Sequence, residues 1–468
     1  MKRSGILLLL ASTLAFAASI DEQFQAIRKN PLELYAFLYR MPKGGDLHNH
    51  LAGAVYAESL LQAAAEDSLC VDESNFSFAK PPESGRCQVD ASRAQTDNSL
   101  ESSLIDSLSM RDFKPGRESP ADHFFNTFYK FAAVSHRHDG DFAAEVTRRA
   151  AEQNESYLEL MALAGTGPIS ELGKRLGSTF AGRPQRNAFD GNFDDAAAKL
   201  RSGGIAELTA GLRARVDQME ERRIGDLGCK EKPDSLSCQV RVRYVYQVLR
   251  EFPKEQVFAQ TFAGFLLADQ DPRVVAINFV QPEHGLTAMR DYHLQMQMVD
   301  YMHRLYPRVH ITLHAGELAS GLVPPDGLRF HIREAIEIGH AERIGHGVSV
   351  MYENDAMSLL HLMKQRHIAV EMNLTSNDLI LGVSGANHPL PVYRKYGVPI
   401  VLSTDDEGVS RTHLTQEYQR AVLAYGLSYA DLKTIVRNSI EYSFLPPSEK
   451  ALARLDLERR FQRFEHSY

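Results

Sequence analysis

Much of what this chain could be is excluded by what it has little of. Past its first 18 residues it has no apolar run approaching the roughly 20 residues that a membrane helix needs. It has no excess of basic charge: 52 Lys and Arg stand against 60 Asp and Glu, a formal net charge of −8. A nucleic-acid polymer is therefore not expected as its partner. It has no internal repeat and no low-complexity tail, which sets aside solenoids and tandem arrays. It has only four cysteines, none of them in a C-x-x-C pair, which argues against a cysteine-built zinc site. What remains, 468 residues with 44% apolar and 24% charged, is ordinary globular composition with ample length to bury a core.

The first 18 residues read differently from the rest. Lys2 and Arg3 precede an apolar stretch from Ile6 to Phe16 that ends in Ala15-Phe16-Ala17. Charge, then apolar run, then small residues is the order of a secretory signal peptide. Residues 1–18 are therefore expected to be a signal peptide and 19–468 a single domain, secreted or periplasmic, with no membrane span in the mature chain. No cysteine follows the cleavage region, so no lipid anchor is expected there. Loss of Lys2 and Arg3 would take the charge from −8 to −10. In an exported chain four cysteines predict two disulfides, with three possible pairings. The local pairing, Cys70–Cys87 and Cys229–Cys238, is expected because each pair lies within one polar segment.

Residues 19–40 read as a helical lead-in, with Phe24, Ile27, Leu32, Leu34, Phe37 and Leu38 as its apolar positions. Residues 66–120 are rich in Ser, Asp, Pro and Gly without a sustained period, and read as an insertion over the surface. Residues 121–155 look helical, and 165–240 are mixed. Eight short β-type runs stand out, at 46–51, 157–163, 242–248, 274–280, 309–314, 343–346, 368–373 and 399–404. Strands alternating with helices imply parallel pairing, and eight such units predict an α/β fold, a (β/α)₈ TIM-type barrel with inserted surface segments.

The C-terminal ends of these runs carry the unusual polar groups: His48-Asn49-His50, Gln281-Pro282-Glu283, His314-Ala315-Gly316-Glu317, Gly345-His346-Gly347 and Ser403-Thr404-Asp405-Asp406. Barrel active sites assemble at that face from several strand ends. Side chains two apart on a strand share a face, so His48 and His50 can reach one ion. His314 offers a third imidazole, and Glu317 just beyond it would lie near substrate. His346, between two glycines, can approach a bound ligand closely. Adjacent residues of extended chain point to opposite faces, so one of Asp405 and Asp406 is expected toward a metal and the other toward substrate. Taken singly, each of these has a plainer explanation: a packed histidine, a surface ion pair, or acids at a helix N-terminus. Three histidines and an aspartate form a credible ligand set for one divalent ion, most simply zinc. Run four lacks a lysine that could bridge two metals.

Several of these segments together resemble the adenosine deaminase family: Met41-Pro42-Lys43-Gly44-Gly45 leading into His48-Asn49-His50-Leu51, His314 to Glu317, Arg343 to Gly347, Ser403 to Asp406, and Asn438 to Leu445. The resemblance covers residues 35–450 in order. The Met-Pro-Lys-Gly-Gly opening, the lead-in helix, the signal peptide and Thr375-Ser376-Asn377 are most similar to the secreted, growth-factor-related branch. The resemblance implies a metal-dependent aminohydrolase that converts adenosine or an adenosine-like purine nucleoside to the 6-oxopurine and ammonia. It implies His48, His50, His314 and Asp405 as metal ligands and Glu317 as the acid that protonates the purine nitrogen beside the reacting carbon. His346 would orient or deprotonate the attacking water, and Asp406 would bond the imidazole side of the purine. Four positions depart from the family pattern. Ala52 replaces an aspartate that contacts ribose, and Gln281, a candidate substrate contact, replaces a glycine whose amide meets the base. Asn278 replaces aspartate, and Glu407 stands where proline is common. Two further readings stay open: a barrel metallohydrolase for a different amine or ester, and a non-catalytic extracellular binding homologue. The oligomeric state is also left open.

Overall fold

A computed structural model describes residues 19–83, 85–116, 118–177 and 193–468. The signal-peptide reading of residues 1–18 lies outside the described residues, as does 178–192 within the mixed segment.

Eight strands form one parallel sheet: β1 Gly44–His50, β2 Glu155–Ala164, β3 Arg241–Leu249, β4 Val274–Val280, β5 His310–Ala315, β6 Arg343–His346, β7 Ala369–Met372 and β8 Ile400–Leu402. Each pairs with the next in chain order. The ring closes where Asn49 bridges Asp405 in the parallel sense. There the His50 N–H donates to the Asp405 carbonyl (2.9 Å) and the Asp405 N–H to the His48 carbonyl (2.8 Å). The sheet is thus a (β/α)₈ barrel with helices outside it. Strands such as β4, Val-Val-Ala-Ile-Asn-Phe-Val, are buried along their whole length. Continuous β-branched and aromatic runs are what a sheet covered on both faces requires.

The lead-in is two helices, Ile20–Ile27 and Pro31–Arg40, because Asn30 caps the second through Leu32 and Glu33 and Pro31 opens it. Their Phe24 and Phe37 rings pack on Tyr429, with centroids 5.8–5.9 Å away. The Asn438 to Leu445 motif ends the helix Tyr429–Glu441, which is closed at its start by a Ser428–Asp431 capping box. Ser439 Oγ accepts the Gly45 N–H at 2.8 Å. Gly44, at φ +68°, sits where a Cβ would come within 2.3 Å of that oxygen. The glycine pair therefore lets β1 begin tight against this helix, upstream of the two histidines.

Residues 66–120 are more ordered than their composition suggests. They hold a two-stranded hairpin, Cys70–Asp72 with Ser77–Ala79, and a helix, Asn98–Ser107, capped by Asp97 and burying Leu100, Leu104 and Ile105. The apolar period spans only two turns, too short to stand out among polar neighbours. The Met110 N–H donates to the Val409 carbonyl (2.8 Å), tying the insertion to the loop after β8. Disulfides join Cys70 to Cys87 and Cys229 to Cys238, the local pairing.

Candidate metal and catalytic centre

The strand ends bring His48, His50, His314, His346, Glu317, Asp405 and Asp406 to the mouth of the barrel, all of them buried. His48 Nε2 lies 3.1 Å from His314 Nε2 and 3.3 Å from Asp405 Oδ1. His50 Nε2 lies 3.2 Å from His314 Nε2 and 3.4 Å from the same carboxylate oxygen. Ligands at zinc distances in a tetrahedron have edges of about 3.3–3.4 Å. Four of the edges among these atoms therefore have the spacing of a single coordination sphere, and a ring nitrogen of His346 also lies within 4.8 Å of the ligating atoms of His48, His314 and Asp405.

Their protonation states agree. His48 Nδ1 meets Glu371 Oε2 at 2.6 Å, His314 Nδ1 meets the Asn278 side-chain oxygen at 2.9 Å, and His50 Nδ1 meets the Gln247 side-chain oxygen at 3.0 Å. These oxygens only accept, so each Nδ1 carries a proton and each Nε2 is the atom left to face inward. Three nitrogens and a carboxylate oxygen converge; burial of His48 is outweighed by Asp405 and Glu371, which push it up to about 10, and a divalent cation would take the place of that proton. The residues present fit one divalent metal ion. Burial, followed by His48, His346 and His50, holds His314 well below the usual imidazole value, which keeps it neutral.

Side chains that the sequence reading did not single out support this cluster. Burial alone would raise Glu371, but Arg343 and His48 outweigh it and hold Glu371 down at about 2. Arg343, itself buried, joins Glu371 to Glu159 through 2.5 Å contacts to each. Ser376 Oγ donates to Asp405 Oδ2 at 2.5 Å. Gly345 leaves room for His48, since a Cβ there would meet His48 Cε1 at 2.7 Å. Asn278, seen in the sequence only as a departure, is the acceptor that orients His314. Glu407, the other departure, accepts from Arg149 (3.1 Å) and Asn49 (3.2 Å) and so ties the loop after β8 to β1.

Glu317 is held over the cluster by Glu283, whose carboxylate accepts the Gly316 N–H (3.0 Å) and the Glu317 N–H (2.7 Å) and meets His331 Nδ1 at 2.6 Å. Burial first, then Asp405 and Glu283, push the Glu317 carboxyl well above its usual range. Burial and Asp405 do the same to Asp406. Asp405 goes the other way: burial opposes ionisation, but His346, His48 and His50 overcome it and depress its value. The two adjacent acids thus differ in charge, one ionised and one neutral.

They do not, however, divide between two faces. Asp405 takes φ +62°, which breaks the alternation of the strand. Ligating atoms of His50, Asp405 and Asp406 all lie within 4.8 Å of one another. Asp406 Oδ1 is buried with no hydrogen-bond partner among the described residues, and the lack of a side chain at Gly53 admits it: a Cβ there would sit 1.8 Å from that oxygen.

His346 Nε2 stands 3.9 Å from both Glu317 Oε1 and Asp405 Oδ2, too far to bond either. The Gln281 side-chain oxygen accepts the Glu251 N–H at 3.0 Å. A cavity of about 350 Å³ adjoins the cluster through Gln247 and is walled by Ala52, Phe128, Val134, Phe142 and Met161 among others. Its Arg215 is paired with Asp139 at 2.6 Å.

The pattern of the adenosine deaminase family matches residues 226–456, a span that starts after His48 and His50. Among curated relatives, an adenosine deaminase of Clostridium perfringens is 33% identical over 148 residues, 31% of this chain and 41% of that protein. An adenosine deaminase of Salmonella typhi is 38% identical over 146 residues, 31% and 40% of the two chains. The aligned stretch thus spans about two fifths of these relatives' length. A zinc-bound amidohydrolase from Burkhoderia ambifaria superposes with a TM-score of 0.61 at 18% identity, covering 92% of this chain and 94% of its own. An Arabidopsis N6-mAMP deaminase does so with a TM-score of 0.56 at 20% identity, covering 91% and 99%. At such identities the two structures speak for the fold. On the sequence matches, residues 226–456 of the chain are similar to the adenosine deaminase family.

Proposed function

We propose that this protein is a metal-dependent aminohydrolase that converts adenosine, or an adenosine-like purine nucleoside, to the 6-oxopurine and ammonia. The observation that carries the reading is the pairing of a neutral carboxyl, Glu317, with the convergent cluster of His48, His50, His314 and Asp405, His346 Nε2 standing 3.9 Å from both Glu317 and Asp405. Those four residues would hold the ion, and nitrogen-rich tetrahedral donors favour zinc. When bound, the ion supplies Lewis acidity that brings water ionisation near neutral pH. The carbon bearing the amino group accepts a nucleophile only when the neighbouring ring nitrogen is protonated. Glu317, kept neutral by burial, is placed to give that proton. His346 faces the oxygen that adds. Asp406, also neutral, can donate to a ring nitrogen on the imidazole side of the purine. The apolar cavity takes the remainder of the substrate.

Ala52 in that wall supports a second reading, in which the same centre acts on a different amine. Export, and the secreted growth-factor-related branch, are supported by the N-terminal sequence and by two disulfides, which persist in oxidising compartments. The deciding assay is ammonia release from adenosine, 2′-deoxyadenosine, 5′-modified adenosines, adenine and AMP, with metal content measured in parallel. Turnover of a nucleoside by metal-loaded protein, lost on chelation, supports the proposal. Turnover of none by fully loaded protein overturns it in favour of the second reading.

A further inference from the structure

We infer that Asn377 and His388 are positioning residues that fix His346 as its Nε2–H tautomer, so that His346 meets the reacting centre as a hydrogen-bond donor and not as a base. This builds on the function proposed above and decides between the two roles open to His346, orienting the attacking water or deprotonating it.

The argument starts at a backbone amide, whose polarity is not in question. The Leu390 N–H donates to His388 Nδ1 at 3.2 Å. That nitrogen must carry a lone pair, so a neutral His388 has its proton on Nε2. His388 Nε2 lies 3.1 Å from Asn377 Oδ1, and its proton selects the oxygen end of the amide. The other end, Asn377 Nδ2, can only donate, and it lies 2.9 Å from His346 Nδ1. His346 Nδ1 is therefore the acceptor, and the ring proton sits on Nε2, the atom that faces Glu317 and Asp405 at 3.9 Å.

Among the described residues one further donor lies near the His346 ring. Asn373 Nδ2 lies 3.4 Å from Nδ1 and 3.3 Å from Nε2 of His346, nearly equidistant, and so selects neither nitrogen. His346 and Asn377 are fully buried and His388 is 2% exposed, so water cannot compete for these bonds. Burial also holds His388 down at about 4, which keeps its ring neutral and its tautomer meaningful, and the Asn377 Nδ2 donor at 2.9 Å leaves His346 Nδ1 a lone pair. The consequence is chemical. An Nε2 that already bears a proton, on a ring whose Nδ1 is covered by a donor, has no lone pair for an incoming proton. It can donate to the oxygen that adds to the purine and strengthen that bond as negative charge develops.

The test is ¹⁵N NMR of the full, metal-loaded chain labelled at histidine, a readout that needs no substrate. The His346 ring, identified by its absence in His346→Gln, is expected to show a protonated Nε2 and a bare Nδ1. Asn377→Asp replaces the donor with an acceptor and is expected to move the proton to Nδ1. With the donor to the adding oxygen gone, kcat should fall about 10²–10³-fold, while KM and metal content stay close to those of the wild type. His388→Gln, whose amide can accept from Leu390 and donate to Asn377, should restore the wild-type tautomer and rate, where His388→Leu does not. A wild-type spectrum with a bare Nε2 overturns the inference without any variant. So does Asn377→Asp that loses turnover with its ring proton unmoved. Should the chain deaminate no purine, the function proposed above fails while the spectrum still decides the tautomer.

Discussion

Replacing Glu317 with glutamine separates proton donation from everything else this side chain does. Glutamine fills the same volume, leaves the Glu317 N–H bonded to Glu283, and can still donate a hydrogen bond. It cannot transfer a proton to a ring nitrogen. Loss of general acid catalysis is worth roughly 10²–10⁴-fold, or about 2.7–5.4 kcal/mol of transition-state stabilisation. Stability should move the other way. Burial, Asp405 and Glu283 raise this carboxyl well above 4.5. Between that ordinary value and the raised one, the folded state holds a proton that the unfolded chain has lost. Folding stability therefore falls as pH rises through this window. Glutamine is neutral throughout and escapes that fall. The variant should melt at or above the wild-type temperature in mildly alkaline buffer, retain its metal, and release ammonia hundreds of times more slowly. Steady-state ammonia release, elemental analysis and thermal melts of both proteins check this. A glutamine variant that turns over at the wild-type rate would place the acid elsewhere. One that loses metal or melts early would make Glu317 a structural residue.

Other perturbations report on the supports around the centre. Gly53→Ala should displace Asp406, whose Oδ1 lies 1.8 Å from the new Cβ position, and raise KM with metal content unchanged; kinetics with parallel elemental analysis test it. Asn278→Leu removes the acceptor that His314 Nδ1 finds among the described residues and should weaken metal binding about 10–100-fold, read by competition with a chelator. Arg343→Met strands Glu159 and Glu371 in the interior and should lower stability by about 3–5 kcal/mol, measured by urea unfolding. In the wild type, Glu371, held at about 2, contributes stability that is present above 4.5 and lost as pH falls toward 2; acid titration of the circular dichroism against Glu371→Gln should show it. Serines at Cys70 and Cys87 open a loop with a sequence separation of 17, for which chain entropy suggests a loss of about 3 kcal/mol, read as a lower melting temperature under non-reducing conditions.

The barrel was legible because β-branched runs recur between helical stretches, and the centre was legible because rare residues cluster at the ends of those runs. What could not be read was whatever pairs across the barrel. Glu371 lies 323 residues from the His48 it orients, and Asn278 lies 36 from His314. Each sits inside a strand, where a lone polar residue looks like a flaw in an apolar run and gives no sign of its partner. Gln281 illustrates the converse. Its place after β4 suggested a substrate contact; at φ +81° the chain turns there, and its side-chain oxygen takes the Glu251 N–H, a partner that no pattern in the sequence announces. The order in residues 66–120 was hidden for another reason: a helix of 10 residues and strands of 3 residues leave too few periods to detect.

The Asp405-Asp406 pair shows where alternation fails and why the failure is useful. In extended chain the two carboxyl groups would part by a strand's thickness, and only one could serve the centre. Non-glycine residues rarely accept positive φ, and holding one there costs about 1–3 kcal/mol. Asp405 accepts it because its backbone is fixed on both sides, its N–H to His48 and its carbonyl to the His50 N–H, so the turn is imposed by closure of the barrel itself. His346, at φ +67°, ends its strand in the same way, and its neighbour's N–H bonds back to Ala315. At both places the strand stops, the chain turns left-handed, and a side chain that would have followed the wall of the barrel points across its mouth. A like-charged pair so close could not both ionise. Closure thus does two things at once: it brings the second acid into the site, and through Asp405 it keeps that acid protonated and able to donate.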